Sequence, residues 1–510
     1  MNNLVRFLLN GRLMELSTEK MPTLTLDWLR HEAGASPVPR RGAEKEPAEP
    51  VWFFWASGPY RLMKAHRLTL ATLILNGFRG YIIDTLSFKP FPGKHLITIE
   101  GLAEEGPTAV MKVLHDENAS QCGFCSPGVV LALTGRLLQG GLLDGSALKR
   151  AIEGNLCRCT GYGSLHRSAE RLAKDLQDLP GTYTERISYL VSKGILGPAL
   201  ANTLYSLPEP AAGVPIRGAR GENPMIPLGG GTDWFVQHSE AEPQEYYYIN
   251  TLQHSRRITR TAEGLLIGAS VTMQDFFIHR DIRQAYPGIE AFEALVASPG
   301  IRSRATLAGN IANASPVADM TAMLLAMDAR LVLLDQLSGS RRQVALEDYF
   351  IGYKKTAAAA QEEIESIILP MLVPLELLHD KIHDKNSIRY CFHFEKAAKR
   401  DRLDIAAVIT AIGLVVEEGG LAPVLKRVRI SAGGIGPTPI LLRSSAGILE
   451  GKALTTELVL AAAERALTEI SPISDVRGSE AYRREALRRL FFAHFSSLFP
   501  QSIDEEVLLS

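Results

Sequence analysis

Four of the five cysteines fall into two short pairs, Cys122-Gly123-Phe124-Cys125 and Cys157-Arg158-Cys159. Thiolates spaced this closely can converge on one inorganic centre, either a tetrahedral zinc or an iron–sulfur cluster. The usual zinc arrangement joins two Cys-x2-Cys knuckles on hairpins. Here the second pair is Cys-x-Cys, and both pairs adjoin helical sequence, where free backbone N–H groups help to hold an anionic cluster. The spacing therefore favours iron–sulfur and leaves zinc open. Cys391 lies between Tyr390 and Phe392 and reads as a buried small hydrophobe.

Two other stretches carry chemistry. In Pro227-Leu228-Gly229-Gly230-Gly231-Thr232-Asp233, consecutive glycines after a strand let backbone N–H groups approach a phosphate. Taken alone, the motif reads better as a plain glycine turn with no ligand. The run from Ala305 to Asp319 includes Thr306, Gly309, Asn310, Asn313, Ser315 and Asp319. It concentrates small residues, amides, hydroxyls and one carboxylate more densely than a polar turn requires.

Several elements must position these residues. Leu4–Leu9 and Arg12–Leu16 flank Asn10-Gly11 and read as a β-hairpin, followed by a short helix around Leu26–Arg30 that Gly34 could end. Residues 37–92 lose all pattern: prolines alternate with charges, Trp52, Phe53, Phe54 and Trp55 form an aromatic knot, and no helix or strand period survives. Order returns at His95–Gly101, a strand ending in a turn. Residues 105–175 are helical, with Val129–Leu138 after the first cysteine pair, Ser146–Glu153 before the second and an amphipathic Ser164–Leu176 after it. Residues 177–200 read as a linker with one helical turn or two. From about 201, short strands such as Met225–Leu228, Leu265–Gly268 and Leu331–Leu334 alternate with helices such as Thr321–Met327. From about 386, strands at Ala406–Val416 and Val428–Ala432 precede two helices, Thr456–Ile470 and Glu480–Phe499. No internal repeat is present.

At 510 residues, with 46% hydrophobic and 22% charged residues, the chain reads as a globular protein of two to four domains. A net charge of −1 argues against nucleic acid and membrane surfaces as partners. No apolar run reaches the roughly 18 residues of a spanning helix. Arg6, Arg12 and Glu15 interrupt any signal-peptide core. A cytoplasmic location is expected, where paired cysteines point to metal rather than disulfide.

The segments Gln121–Gly128 and Gly154–Tyr162 resemble the second [2Fe–2S] domain of the xanthine dehydrogenase family of molybdenum hydroxylases. The Gly229–Asp233 and Ala305–Asp319 loops resemble that family's flavin-binding subunits, as do Glu395–Arg400, Asp404–Ala406, Pro472–Gly478 and Tyr482–Arg484. The resemblance covers most of residues 93–500. It implies a multidomain α+β fold: a degraded β-grasp ferredoxin-like N-terminus (1–92, with 38–92 abnormal), a four-helix [2Fe–2S] domain (93–176), a linker (177–200), a two-part α+β FAD-binding domain (201–385) and an α/β C-terminal flavoprotein domain (386–510).

By the same resemblance, Cys122, Cys125, Cys157 and Cys159 ligate one [2Fe–2S] cluster. Gly229, Gly230, Gly231 and Thr232 cradle the FAD pyrophosphate, while Thr306, Gly309, Asn310, Ser315 and Asp319 hold its ribityl and phosphate portions. Lys396 falls near the flavin, although a solvated lysine reads equally well. The implied function is an electron-transfer subunit in a hetero-oligomer. A molybdopterin-binding large subunit supplies electrons, which pass through [2Fe–2S] to FAD and on to NAD+ or another acceptor. Purine oxidation leads; aldehyde, carbon monoxide or N-heterocycle oxidation, or a defective remnant, are the alternatives.

The family's N-terminal plant-type cluster needs four further cysteines in a C-x4-C-x2-C…C pattern, and none precedes Cys122. Read across codon boundaries, Gly42/Ala43, Pro47/Ala48, Pro50/Val51 and Leu70/Ala71 can each spell cysteine at that spacing. Residues around 38–92 are therefore expected to be a frame-shifted translation of the missing loop, unless the lineage lost it.

Overall fold

The computed structural model describes residues 4–17, 71–75, 79–82, 95–139, 141, 143–205, 226–234, 246–249, 253–371, 388–400, 404–418 and 422–509. The expected helix near Leu26, the aromatic knot and most of the anomalous 38–92 stretch lie outside these residues. The chain divides into two compact units.

In the first unit, β1 (Leu4–Leu9) and β2 (Arg12–Ser17) form the expected hairpin. Asn10 and Gly11 both take positive φ, 49° and 82°, as a two-residue primed turn demands. The turn also serves the rest of the unit. Asn10 Oδ1 accepts Thr98 N–H at 2.8 Å, and Gly11 N–H donates to His95 Nε2 at 2.9 Å. With β3 (Ala71–Leu75), β4 (Arg79–Ile82) and β5 (His95–Ile97), the hairpin completes a sheet ordered β2-β1-β5-β3-β4. Two strands therefore form where the sequence pattern showed none, since pairing partners can impose a strand on a stretch with weak periodicity. The strand at 95 stops at Ile97. Thr98 caps a helical turn, α1 (Ile99–Leu102), in place of the expected simple turn.

The helices that follow are α2 (Ala109–Asp116), α3 (Ser126–Gln139), α4 (Gly145–Ile152) and α5 (Gly163–Asp175). Thr108 and Asp144 cap α2 and α4 by accepting N–H groups three residues on. Leu165, Ala169, Leu172 and Ala173 form the buried stripe of α5. The expected linker at 177–200 is instead structured. It contributes α6 (Tyr183–Ser192) and enters α7 (Pro198–Tyr205), and Ile187, Leu190, Ile195 and Leu200 lie in the same core as α3 and α5. Arg186, buried to 5% exposure, donates to the carbonyls of Leu138, Pro180 and Gly181, tying this segment to the end of α3.

The second unit contains a parallel pair, β6 (Ile226–Leu228) with β7 (Tyr246–Tyr248), and a five-stranded antiparallel sheet. That sheet is ordered β11-β10-β14-β9-β8 from β8 (Ile258–Thr261), β9 (Gly264–Gly268), β10 (Arg330–Asp335), β11 (Arg341–Ala345) and β14 (Glu362–Leu369). A small hairpin, β12 (Phe350–Gly352) and β13 (Lys355–Thr356), precedes β14. Helix α8 (Leu307–Ala312) lies within the second polar stretch, and α9 (Asp319–Ala326) begins at its last residue. Every residue of α9 after Asp319 is buried, as expected of a helix that is apolar all round.

The C-terminal part was expected to be α/β. Its sheet is antiparallel instead, ordered β15-β16-β17-β18 from β15 (Ile388–Ala397), β16 (Val408–Glu417), β17 (Val424–Gly433) and β18 (Ile440–Leu441). Short connections allow only antiparallel neighbours; parallel pairing needs a crossover of a dozen or more residues. Helices α10 (Arg443–Leu449), α11 (Thr456–Leu467) and α12 (Glu480–Leu498) bury Leu449, Val459, Phe491 and Phe495 in one core with this sheet, and Cys391 is buried there as expected. Among the described residues, no helix is long and apolar enough to cross a membrane.

Candidate functional site

In the first unit, Cys125 immediately precedes α3 and its carbonyl accepts Val129 N–H at 3.0 Å. Cys157 and Cys159 lie in the turn before α5. The helical core thus brings together pairs 32 or more residues apart in sequence. The thiols meet two by two: Cys125 hydrogen-bonds Cys157, and Cys122 hydrogen-bonds Cys159. Cys125 and Cys157 form the inner pair, half-buried against the helical core, while Cys122 and Cys159 are exposed.

Burial, with help from Cys157 and Cys122, pushes the Cys125 thiol up to about 12. Burial acts in the same sense on Cys157, but hydrogen bonds from the Thr160 hydroxyl and backbone and from Cys125 outweigh it and lower its pKa. The hydrogen bond to Cys122 raises Cys159. In each pair one sulfur holds a proton that the other accepts, a proton that metal ligation would displace. Among the described residues no three His, Cys, Asp or Glu side chains gather as on a single metal ion. A structural zinc takes four ligands at one centre, whereas four cysteines serve two irons in a [2Fe–2S] cluster. Four thiols drawn from the two motifs suit such a cluster.

In the second unit, the glycine loop leaves β6 and meets the second polar loop. A Cβ on Gly229 would collide with Thr306 Oγ1, and one on Gly230 with the Arg304 carbonyl. Glycine lets the first loop pack against the Thr306 side chain at one position and against the Arg304 backbone at the next. Gly231 takes φ +72° and is the last residue of this segment in the second unit; Thr232 belongs to the first. Backbone bridging of Thr272 with Thr306 fixes the second loop on its other side. Thr306 caps α8 by accepting Gly309 N–H at 3.0 Å. Asn310 Oδ1 accepts both the N–H and the hydroxyl of Thr321 at 3.2 Å, which locks α8 to α9. Ser315 Oγ accepts Val317 N–H at 3.4 Å, after Ala314 at φ +47°.

Asp319 opens α9, where the helix dipole favours a carboxylate. Its Oδ2 accepts from Lys396 Nζ at 2.9 Å, and Lys396 also donates to the Leu295 carbonyl at 2.9 Å. The two side chains are 16% and 4% exposed, so Lys396 is not a solvated charge. Asp319 Oδ1 is buried with no partner. Burial raises the Asp319 pKa, and Lys396 counters only part of that rise. An orphaned buried acceptor beside a backbone cradle suits a ligand with both phosphate and hydroxyl donors, and FAD has both. The residues present fit the group.

Sequence reasoning missed two supports of this site. Lys354, at φ +55° in the tip between β12 and β13, donates to Asn313 O at 2.6 Å and Oδ1 at 2.9 Å. Gly434 N–H donates to Pro316 O at 2.7 Å. Neither has a local sequence signal, because both partners are distant in the chain.

Three family models match the chain in the order of these elements. Residues 98–170 match a [2Fe–2S] binding domain, 217–372 the FAD binding domain in molybdopterin dehydrogenase, and 393–498 the CO dehydrogenase flavoprotein C-terminal domain. The chain thus carries an FAD-binding and a [2Fe–2S]-binding domain. Together the matches support an electron-transfer FAD/[2Fe–2S] component of the molybdenum hydroxylase class of oxidoreductases. Among individual proteins, the chain is 25% identical to the xanthine dehydrogenase of Blastobotrys adeninivorans, covering 80% of this chain and 35% of that one. It is likewise 25% identical to a nicotinate hydroxylase of Emericella nidulans, covering 78% and 36%. The chain therefore spans about a third of the length of these curated relatives. A carbon monoxide dehydrogenase structure from Hydrogenophaga pseudoflava, which lacks the Mo-pyranopterin moiety of its cofactor, aligns at TM-score 0.47 and 24% identity. That alignment covers 53% of this chain and 88% of that one.

Proposed function

We propose that this chain is the electron-transfer subunit of a xanthine dehydrogenase-like enzyme, working with a separate molybdopterin-binding chain. The observation that carries the reading is the convergence of two cysteine motifs in one unit, in a chain whose other unit holds a double-loop cradle. Cys122, Cys125, Cys157 and Cys159 would together hold one [2Fe–2S] cluster. Gly229, Gly230, Gly231 and Thr232 face the FAD pyrophosphate. Thr306, Gly309, Asn310, Ser315 and Asp319 line its ribityl and phosphate portions, and Lys396 pairs with Asp319. When bound, these cofactors supply single-electron and hydride-level redox chemistry between the partner's substrate and NAD+. The protein's own part is to bind, orient and shield them; no side chain here is assigned acid–base work.

Purine oxidation is the leading partner reaction. Oxidation of an N-heterocycle is the second reading, favoured by the equal identity to a nicotinate hydroxylase.

The test begins with iron, sulfide and flavin analysis of the purified full chain. Cys122→Ser and Cys157→Ser should each lose the cluster's visible absorbance and keep FAD. Equal iron in parent and variants would overturn the ligand assignment, and a parent with neither iron nor flavin would mark a defective remnant. Assaying the complex with a co-expressed molybdopterin chain on xanthine and on nicotinate separates the two substrate readings.

A further inference from the structure

The turn after Cys157 closes into a ring of three hydrogen bonds. Cys157 N–H donates to the Tyr162 phenol oxygen at 3.0 Å, Tyr162 N–H donates to Thr160 Oγ1 at 3.3 Å, and Thr160 Oγ1 lies 3.1 Å from Cys157 Sγ. Two consecutive left-handed residues, Gly161 at φ +56° and Tyr162 at φ +65°, bend the chain back far enough to close it. Glycine adopts that region freely. A residue with a β-carbon does so rarely, and such strain persists where the surroundings enforce it.

The direction of the bond to sulfur follows from chemistry. A cysteine ligating iron is a thiolate and has no proton to give, so the Thr160 hydroxyl must be the donor. The same oxygen already accepts the Tyr162 N–H, which restricts where its own proton can point. Donation to a ligand sulfur draws charge off the cluster and favours its reduced form, and partners of this kind tune iron–sulfur potentials.

We propose that Thr160 sets the reduction potential of the cluster through Cys157, and that Tyr162 is the positioning residue that aims its hydroxyl. The proposal rests on the reading that the four cysteines hold a [2Fe–2S] cluster. Thr160 does not ligate iron, so its loss should alter the potential and leave the ligand set intact. A merely structural hook would hold the loop equally well without any bond to sulfur.

The experiment is an EPR-monitored redox titration of the full-length, iron-loaded chain. Thr160→Val keeps the shape and removes the donor, and its midpoint potential should move to a more negative value at parental iron content. Thr160→Ser restores the hydroxyl and should titrate with the parent. Tyr162→Phe removes the acceptor for Cys157 N–H and should shift the potential in the same direction by less. A valine variant that holds iron and titrates with the parent overturns the proposal. Should that variant lose its iron, the phenylalanine variant decides: a parental potential there overturns it equally. If the parent itself holds no iron on these cysteines, the cluster reading fails first and takes this proposal with it.

Discussion

The Lys396 ammonium and the Asp319 carboxylate, 77 residues apart, meet at 2.9 Å and join the end of β15 to the first turn of α9. Their side chains are 4% and 16% exposed. Removing one partner of a buried pair typically costs about 3–5 kcal/mol, because the other charge is left uncompensated. Lys396→Met should therefore destabilise the second unit by that order in urea denaturation. The loss should carry a pH signature. Burial already raises the Asp319 pKa in the folded chain, and without Lys396 it rises further. A native state that binds more protons than the unfolded one is most stable below the unfolded pKa and loses that stability as pH rises through the folded value. The deficit of Lys396→Met should thus shrink on acidification. Asp319→Leu combined with Lys396→Met should recover much of the stability and still fail to retain FAD. A double variant with normal flavin content would remove Asp319 from the site.

Gly229 and Gly230 offer a graded test of the cradle. The side chain added by Gly229→Ala meets a hydroxyl, that of Thr306, whereas the one added by Gly230→Ala meets the rigid Arg304 carbonyl. Gly230→Ala should cost more, both in flavin content per chain and in thermal midpoint. Thr306→Ala should partly relieve Gly229→Ala and leave Gly230→Ala unchanged. Equal losses in the two glycine variants, with no relief, would mean that the loops do not pack as described.

The parts of this architecture that were legible in the sequence are those encoded locally. Asn10-Gly11 specified its hairpin because both residues tolerate positive φ, and the apolar run after Asp319 announced a buried helix. The cysteine spacing, being short-range, narrowed the chemistry to iron–sulfur or zinc, and the residues around the motifs carried the resemblance to a [2Fe–2S] domain. The long-range features were not legible. Lys396 gave no sign that it would find Asp319, nor Lys354 that it would reach Asn313. Residues 177–200 looked like a linker because their apolar positions are sparse, yet Ile187, Leu190 and Ile195 are enough to dock them on the helical core. Tyr162 was visible within its motif, but its left-handed backbone and its bond to Cys157 were not.

Arg483 ties α12 to the far end of the C-terminal sheet. It is 3% exposed, donates through Nη1 to the carbonyls of Ala407 and Gly434, and pairs through Nη2 with Asp475 at 2.6 Å. Because Gly434 N–H in turn holds Pro316 in the second polar loop, the clamp supports the proposed flavin cradle. A lysine offers one ammonium where the guanidinium offers a rigid fork. Arg483→Lys should cost about 1.5–3 kcal/mol for a hydrogen bond to a charged group lost in the interior, read as a lower thermal midpoint. Flavin affinity should fall with it, while the iron content of the first unit stays at the parental level. A variant that loses iron and flavin together would point to general unfolding rather than to this clamp.

His393 and His494 make a second long-range pair, Nδ1 to Nδ1 at 2.9 Å, with His494 Nε2 2.8 Å from Thr410 Oγ1. His494 is fully buried on α12. One ring must donate and the other accept, so the accepting ring is neutral, and burial disfavours a charge on the donor as well. Burial lowers the pKa of His393, and burial together with His393 holds His494 well below the usual imidazole value. The sign follows from linkage: the unfolded chain binds protons that the native pair refuses, so the pair's stability is fully present above the unfolded value of about 6.5 and is lost as pH falls below it. Glu395, 3.8 Å from His393 Nε2, is raised by burial and runs the opposite way, losing stability as pH rises. Below neutrality the histidines dominate, since two buried rings must charge. Urea midpoints measured on descending pH should fall for the parent and flatten for His494→Leu, which also surrenders the Thr410 bond and is less stable at neutral pH. Parallel curves for the two proteins would show that the histidine pair does not set the acid limb.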